Sequence, residues 1–386
     1  MSIPEYFTDV NYDHAQVIIR AMKDAGRETL GPLHERGIKT YPTAHCTSIQ
    51  YPFSNRVIGT RIEFVGHLPV LAEIVARALN NGKTFFREVG VAAVYVSAQD
   101  IIVHGHHPDV FEDGLGFHLY SWGKENPGRL LDFARGMRDG CKKIRAEFRG
   151  GESAAGRYLI NPPPDSIFPE APVIFSNTIG STAPEELVVG DEVQAGDVIL
   201  GALSTGPHVN AISAIMRLPG FPAILRIKLA DGQTFGEAVM AEMGCYFELT
   251  SALQFAGIKP TAQIAGSGGG VSKAAFGDQN LTYEISHWPE PLPAFRKIME
   301  LMKLEPDLKR PAYAFLKEFN AGIGWLVFVR PEDERASIRI SKETSTPLMK
   351  LGDVKEGKRG TKFEPDSDTW REFVPPEQRW LDPQEF

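Results

Sequence analysis

A proline-rich stretch near the middle of the chain is the feature that most constrains its fold. Asn161 to Pro172 contains five prolines, and neither a helix nor a strand continues through such a run. With 386 residues, the chain has room for a domain of ordinary size on each side. We therefore predict a first domain over residues 1–165 and a second over residues 170–355.

The first half alternates strand patterns with helical ones. Val89 to Val103 is apolar on nearly every side, which predicts a buried helix. The arm before the first strand, residues 1–35, is expected to break at Gly31-Pro32. The other predicted elements are helices over Asn11 to Thr29, Pro69 to Leu79 and Leu130 to Ile144, and strands over Arg56 to Val65 and Phe117 to Trp122.

The second half begins with short apolar runs separated by Gly-Asp turns, a pattern typical of strands. The predicted strands are Val173 to Phe175, Glu192 to Val193, Val198 to Leu203, Ala262 to Ile264 and Trp325 to Val329, and the predicted helices are Val209 to Leu218 and Gly244 to Phe255. Together the halves predict an α/β (α+β) protein of two domains with a cleft between them. Residues 356–386 are charged and contain proline, with isolated aromatic residues, so we expect an appended tail there.

Composition and charge favour a small-molecule partner. The formal net charge of −8 disfavours nucleic acid and anionic membranes as partners, because both attract basic surfaces. Apolar runs are too short to span a bilayer, and Met1 to Val10 lacks the pattern of an export signal. The three cysteines have no paired spacing, which disfavours disulfides and structural zinc. A cytoplasmic location is the natural expectation.

Two acidic positions are candidates for binding a cation. Asp100 comes at the end of the apolar helix, where a carboxylate is disfavoured by burial and by the helix dipole, so it would favour a counter-ion such as Mg²⁺. Glu152 follows Gly150 and Gly151, which would let the backbone approach a ligand closely. An exposed aspartate that begins a turn, and a plain glycine turn, are the alternatives.

Two polar, glycine-containing turns follow predicted strands. Ser204 to Asn210 lies between a strand and a predicted helix, an arrangement that favours phosphate because free backbone N–H groups converge there. Simple capping of the helix is the alternative. Gly266 to Val271 also follows a strand, but Val271 breaks the dinucleotide fingerprint and Ser272 before Lys273 breaks the Walker pattern.

Two histidine-containing segments are weaker candidates. His104, His106 and His107 could bind a metal, but no second group stands at ligand spacing, so solvated histidines are favoured. His45-Cys46 could indicate a thiol nucleophile. Adjacency in sequence, however, does not indicate a catalytic pair.

Taken in order, these motifs resemble the aminoimidazole ribonucleotide (AIR) synthetase superfamily, which includes thiamine-monophosphate kinase, selenophosphate synthetase and a hydrogenase maturation factor. The resemblance extends over roughly residues 56–354 and is greatest to AIR synthetase itself. The resembling segments are Gln99-Asp100 with Gly105 and Pro108, Gly150 to Glu152, Ser204 to Asn210 with Ser213, Ser267 to Gly270, and Phe319 to Gly324.

The resemblance implies an ATP- and Mg²⁺-dependent ligase or cyclase that activates an amide oxygen as phosphate on a small, ribonucleotide-like substrate. It implies Asp100 and Glu152 as magnesium ligands. The catalytic residues that it implies are Asp100, Glu152, His208 and Asn210, and the nucleotide-binding residues are Gly59, Thr60, Arg61, Gly150, Gly151, Ser204, Thr205, Gly206, Gly268, Gly269 and Gly270. Members of the family pair their N-terminal sheets, so the resemblance also implies a homodimer.

The sequence departs from the family pattern at several positions. Arg56 replaces the acid that begins the family's phosphate loop, Arg61 replaces its lysine, Ala92 replaces an acid in the buried helix, and Ala265 replaces a histidine. An arginine keeps the charge of lysine but presents a planar fork of donors. These losses predict a divergent paralogue, and they leave open a small-molecule kinase or a catalytically silent nucleotide-binding protein.

Overall fold

A computed structural model describes residues 12–157, 160, 169–277 and 279–383, with the side chains at 12–17, 19 and 20 left aside. Its helices are α1 Tyr12–Glu28, α2 Leu30–Glu35, α3 Leu68–Leu79, α4 Phe86–Ile102, α5 Ser121–Glu125, α6 Pro127–Ile144, α7 Ile212–Met216, α8 Phe235–Val239, α9 Phe247–Phe255, α10 Pro293–Met302, α11 Pro311–Glu318, α12 Glu334–Ser341 and α13 Asp368–Phe373. In this described part, no helix is long and apolar enough to cross a membrane.

The strands form two sheets. Their bounds are β1 Lys39–Tyr41, β2 Thr47–Gln50, β3 Val57–Phe64, β4 His107–Phe117, β5 Glu147–Ala155, β6 Val173–Thr182, β7 Val198–Leu203, β8 Ala262–Ala265, β9 Leu281–Ile285, β10 Ile323–Val329, β11 Leu348–Glu356, β12 Gly360–Phe363 and β13 Trp380–Leu381. The first sheet has the order β1-β2-β3-β6-β4-β5, and the second has the order β13-β12-β9-β11-β7-β10-β8. The predicted two-domain α/β architecture is confirmed.

Helices α4 and α6 cover one face of the first sheet and pack closely on each other. A Cβ atom at Gly90 would lie 2.2 Å from the carbonyl oxygen of Phe133, and one at Gly136 would lie 2.0 Å from that of Arg87. The two backbones therefore touch where only glycine leaves room. Because α4 has neighbours on all sides, its residues are apolar all round, and the predicted buried helix is confirmed.

The opposite face of the first sheet carries exposed apolar side chains. Ile62 is 68% exposed, and Phe64 and Phe175 are each 48% exposed and stack with ring centroids 5.0 Å apart. Side chains alternate between faces along a strand, so Arg61 and Glu63 point to the other side, toward α4. We refer to the face that carries Ile62, Phe64 and Phe175 as the outer face.

The strand after the proline-rich stretch belongs to the first sheet, not to the second domain as predicted. β6 pairs with β3 on one side and with β4 on the other. Pairing between strands that lie so far apart in sequence leaves no local signal. The assignment of Val173 to Phe175 to the second domain was wrong for this reason. The stretch itself lies largely outside the described residues. We propose that the second domain begins after Thr182.

Three further predictions need correction. Phe117 is the last residue of β4, and Ser121 begins the short helix α5, so the strand over Phe117 to Trp122 is wrong. The arm breaks at Thr29, and α2 then runs through Gly31-Pro32, because a proline is tolerated in the first turn of a helix. The predicted helix over Val209 to Leu218 is only the five-residue α7, Ile212–Met216.

The predicted tail is part of the second domain. β12 pairs parallel to β9, and β13 pairs with β12. Trp370 is fully buried, contacts the rings of Phe315 and Phe363, and donates its indole N–H to the carbonyl oxygen of Pro289 at 2.8 Å. The isolated aromatic residues of this segment therefore complete a core that the preceding chain begins.

Candidate active site between the two domains

A cluster of charged side chains lies where α4 meets β3. Nε of Arg61 lies 3.0 Å from Oδ2 of Asp100 and donates to Oε1 of Glu63 at 2.7 Å. Asp100 is in the last turn of α4 and its side chain is only 14% exposed. Arg61 and Asp100, which were each predicted as site residues, lie together, and Glu63 joins them because it lies two residues along the strand on the same face.

The second domain contributes a lysine to the same cluster. Lys273 lies in the helical turn Gly270–Ala274 and is 6% exposed, and its Nζ donates to Oγ of Ser267. It interacts electrostatically with Asp100, Glu63 and Arg61. Two acids and one base from the first domain thus face a buried base from the second, and we refer to Arg61, Glu63, Asp100 and Lys273 as the charge cluster.

Burial shifts the pKa values of two members of the charge cluster toward each other. Desolvation, followed by repulsion from Glu63, raises the pKa of Asp100 to about 7, although Arg61 and Lys273 oppose the shift. Desolvation lowers the pKa of Lys273, and attraction to Asp100 opposes it. Burial disfavours the charged form of each group. Asp100 can consequently hold or release a proton near neutral pH.

Three loops of the second domain are held together by two asparagines. Asn320 donates to the carbonyl oxygen of Gly206 at 2.9 Å and accepts from the hydroxyl of Ser204 at 3.1 Å. Asn210 donates to the carbonyl oxygen of Gly266 at 3.2 Å. The segments 204–210, 266–270 and 319–324 therefore form one surface, as their resemblance to a single site implied.

His208 supports this surface as a neutral ring. Its Nε2 accepts from the backbone N–H groups of Thr205 at 3.4 Å and Gly244 at 3.3 Å, so the ring proton resides on Nδ1. Complete burial lowers the pKa of His208 to about 4. With Nε2 occupied, this side chain is suited to positioning the loop and not to proton transfer.

Helix α4 also meets the second domain at Ala92, about two turns before Asp100. Ala92, Glu88 and His208 line a small hollow of about 10 Å³, at the position where the family has an acid. Eight helical residues separate Ala92 from Asp100, which corresponds to about 12 Å of helix axis. The second domain therefore contacts α4 at both of these places.

Glu152 does not join Asp100. It lies on the edge strand β5, opposite Gly114, which itself pairs with Phe175. Residues paired in this way share a face, so Glu152 lies on the outer face, whereas Asp100 lies against the inner one. Three strand spacings, about 14 Å, also separate β5 from β3. Asp100 and Glu152 were predicted to converge on one magnesium ion, and within one chain this is wrong. The two glycines before Glu152 allow β5 to pair with β4 and do not bring Glu152 to a ligand.

Four residues that were predicted to bind the nucleotide have structural roles in the first sheet instead. They are Gly59, Thr60, Gly150 and Gly151. A Cβ at Gly151 would lie 1.6 Å from the carbonyl oxygen of Asp113, so this glycine and Gly150, at a bulge, belong to the β4–β5 pairing. Gly59 packs on the ring of His106, and Thr60 donates to Asn177 on the outer face.

The glycine triplet lies next to the charge cluster. Gly268 to Gly270 form the turn that leads to Lys273, and both Gly269 and Gly270 have positive φ. A Cβ at Gly270 would lie 2.4 Å from the carbonyl oxygen of Leu316. The backbone of this turn is therefore fixed against α11 next to the charge cluster.

Glu63, Lys273 and Asn320 were not recognised from the sequence as site residues. Lys273 was noted only as a mismatch to the Walker pattern, and its position six residues after Ser267 was the available signal. Glu63 required knowledge of which face of β3 meets α4. Both depend on contacts between distant segments, for which the local pattern gives no information.

The histidine-containing segments are structural. His104 joins the backbone N–H of His45 at 3.1 Å to the carbonyl oxygen of Val188 at 2.6 Å, and His106 bonds the hydroxyl of Ser48 at 2.9 Å. Burial raises the pKa of Cys46 to about 11, so its thiol stays protonated at neutral pH. Among the described residues, no group of three or more His, Cys, Asp or Glu could hold a metal ion.

The charge cluster nevertheless fits a magnesium ion that is shared with phosphate. Mg²⁺ in phosphoryl-transfer sites uses one or two carboxylates and takes its other oxygens from phosphates and water. Asp100 and Glu63 interact directly and repel each other when both are ionised. A divalent cation would relieve that repulsion.

Comparisons with known proteins show which family this chain resembles. A family described as "AIR synthase related protein, N-terminal domain" matches residues 73–167. The phosphoribosylformylglycinamidine cyclo-ligase of Exiguobacterium sibiricum is 29% identical over 67% of this chain and 71% of its own length. The sequence relationship therefore extends beyond the first domain.

Solved structures share the two-domain fold. The thiamine-monophosphate kinase of Stenotrophomonas maltophilia superposes with a TM-score of 0.55 at 13% identity, covering 81% of this chain and 87% of the kinase. AaThiL complexed with AMPPCP and TMP has a TM-score of 0.51 at 16% identity, covering 82% of this chain and 86% of its own. At these identities the likeness concerns the fold. Together with the sequence matches, it shows that this chain is similar to AIR synthase-related proteins.

Proposed function

We propose that this protein is an ATP- and Mg²⁺-dependent ligase or cyclase of the AIR synthase type, acting on a small amide-bearing, ribonucleotide-like substrate. The charge cluster is the observation that carries the proposal. It places a guanidinium, an ammonium and two carboxylates from both domains beside a fixed glycine turn. Phosphoryl transfer depends mainly on positioning and on neutralising charge, and this set of groups suits that task.

Each member of the cluster has a role in this proposal. Arg61 and Lys273 bind phosphate oxygens and stabilise the charge that develops on them during transfer. Asp100 and Glu63 would hold Mg²⁺, which supplies further charge neutralisation on the phosphates. The turn from Gly268 to Gly270 offers backbone N–H groups at the same place.

The loops of the second domain bind and orient the substrate. Ser204, Thr205 and Gly206 lie at the cleft, and Asn320 and Asn210 fix the loop from behind. Asn210 and His208 are therefore positioning residues in this proposal, because Nδ2 of Asn210 and Nε2 of His208 are engaged with the protein backbone. A closed cleft would exclude water from the activated amide oxygen.

Phosphate release is the direct test. Purified protein with ATP, Mg²⁺ and formylglycinamidine ribonucleotide is expected to release phosphate, and Asp100→Asn is expected to weaken Mg-nucleotide binding by about tenfold or more. Glu152→Gln is the matched control, since it removes the same charge from the outer face. Absence of phosphate release would refute cyclisation of this substrate. Equal nucleotide affinity in wild type and Asp100→Asn would refute the site.

A catalytically silent nucleotide-binding protein is the second candidate. It is favoured by Ala92 and by Arg56, which occupy two positions where the family has acids, and Arg56 donates to Ser181 outside the cleft at 3.1 Å. Calorimetry distinguishes the candidates, because binding of ATP with Mg²⁺ but no turnover on any amide substrate supports this one. A phosphorylated product in place of free phosphate would indicate a small-molecule kinase.

We also propose a homodimer formed through the outer face. Ile62, Phe64 and Phe175 expose apolar area on one side of an otherwise packed sheet. Contiguous exposed apolar area of this kind is typical of an interface. Light scattering on the purified protein tests this, and a monomer at all concentrations would contradict it.

A further inference from the structure

A groove lies beside α9, and its lining does not include any residue of the charge cluster. Its walls are α9, the first residues of β4 and the end of α6, and its volume is about 830 Å³. A deeper hollow of about 180 Å³ shares His107, Phe247 and Ser251 with it. The size is that of a small-molecule site. None of the cleft residues described above lines this space, which we call the α9 groove.

The acidic side chains of the α9 groove already have partners. Asp109 accepts from the hydroxyl of Ser181 at 3.0 Å, and Glu248 accepts from that of Ser345 at 3.0 Å. Glu186 accepts from the backbone N–H of Ala183 at 3.4 Å. These carboxylates keep their charge, but they are matched in number by Lys142, Lys143 and Arg145 in the same wall.

The basic side chains of the groove are less committed. Lys143 lies 3.7 Å from Glu248, but within the described chain neither Lys142 nor Arg145 forms an ion pair. Basic residues at a helix C-terminus stabilise the helix dipole, which explains their presence on α6 without a ligand. Because Lys142 and Arg145 also line the groove, they could in addition bind an anion there.

Two further groups in the groove lack protein partners. Phe255 is 96% exposed at the end of α9, although a phenylalanine is among the residues most often buried. The hydroxyl of Ser251 is buried and has no hydrogen-bond partner in the described structure. A flat ring on Phe255 and a polar atom near Ser251 would satisfy both.

We propose that the α9 groove is a second ligand site, separate from the interdomain cleft, that binds a small organic anion with a flat ring. The anionic group lies against Lys142 and Arg145, and the ring lies on Phe255 with its edge toward Ser251. The site joins both domains, since His107 belongs to the first and α9 to the second.

Calorimetry with phenyl phosphate tests the proposal, using the full chain without Mg²⁺ or ATP. Phenyl phosphate is expected to bind, and the pair Lys142→Glu and Arg145→Asn is expected to weaken binding by about tenfold or more. Asparagine is chosen because Arg145 has a positive φ, which asparagine tolerates. Ala252→Phe fills the groove without a charge change and is expected to weaken binding similarly. Phe255→Ala is expected to weaken binding of phenyl phosphate but not of inorganic phosphate.

A second pair of substitutions controls for net charge. Lys309→Glu with Lys355→Gln makes the same change at two exposed positions outside the groove, and affinity should stay within about twofold. Asp100→Asn should also retain binding. The proposal is overturned if wild type shows no saturable binding, if the control pair weakens binding as much as the groove pair, or if Asp100→Asn abolishes binding, which would place the ligand in the cleft. Because Asp100 reports on the cleft alone, failure of this site and failure of the proposed function are distinguishable.

Discussion

Replacing Asp100 by asparagine is expected to stabilise the fold at alkaline pH while damaging the site. Burial raises the pKa of this carboxyl from 3.8 to about 7, so the folded protein favours its neutral form. Asparagine has nearly the same shape and is always neutral. The substitution therefore removes the cost of holding a buried charge, as well as the ligand that the charge provides.

The sign and size of the effect follow from proton linkage. Between pH 4 and 7, the folded state holds a proton that the unfolded state has released, so the free energy of unfolding of the wild type falls as pH rises. Each pKa unit is worth about 1.4 kcal/mol. The change in the pKa of Asp100 from 3.8 to about 7 therefore lowers the free energy of unfolding of the wild type by about 4 kcal/mol at pH 8. At pH 5 most of this cost is still absent, and the advantage of asparagine falls to about 1–2 kcal/mol.

Urea unfolding at pH 5 and pH 8, with EDTA present, measures the difference. Asp139→Asn is the control, because hydrogen bonds from Arg138 and then Arg87 lower the pKa of Asp139, so its replacement is not expected to stabilise. If Asp100→Asn is less stable than wild type at pH 8, attraction from Arg61 and Lys273 outweighs burial and the reasoning is refuted. An equal gain at both pH values would also contradict it.

Three other substitutions test features of the fold. Trp370→Ala should lower the free energy of unfolding by about 3–5 kcal/mol, as measured with urea, and a change under about 1 kcal/mol would show that residues 356–383 are not core. Gly59→Ala places a Cβ 2.4 Å from the ring of His106 and should lower the free energy of unfolding by about 1–3 kcal/mol in the same assay. Adding His106→Ala to this variant should recover part of the lost stability. Phe64→Asp with Phe175→Asp should convert the proposed dimer to a monomer in light scattering; a variant that stays dimeric would place the interface elsewhere.

The sequence alone predicts the elements whose signals are local. The helix α4 is recognisable because apolar residues surround it, and β3 because β-branched residues follow one another before a helix. Asp100 and Arg61 could be proposed as site residues because each stands at a position of a family motif, although Arg61 replaces a lysine there. Such features depend on neighbours within one or two turns of the chain.

Features that depend on distant partners were missed or misplaced. β6 follows a proline-rich stretch yet pairs with β3, more than a hundred residues earlier in sequence. Glu152 looked like a ligand behind two glycines, but strand pairing turns it to the outer face. Lys273 reaches Asp100 only because two domains meet, and no pattern around either residue indicates that contact.

The placement of β12 and β13 has a consequence for how the protein is made. The first strand of the second sheet in sequence is β7, which begins at Val198, but the edge strand β13 ends only at Leu381. During synthesis, the ribosome must therefore release nearly the whole second half before that sheet can assemble, while the first sheet has all its strands once Thr182 has emerged. Translation that stops short of Trp370 should yield a well-formed first domain attached to a second one with an open edge, which is a substrate for chaperones and proteases.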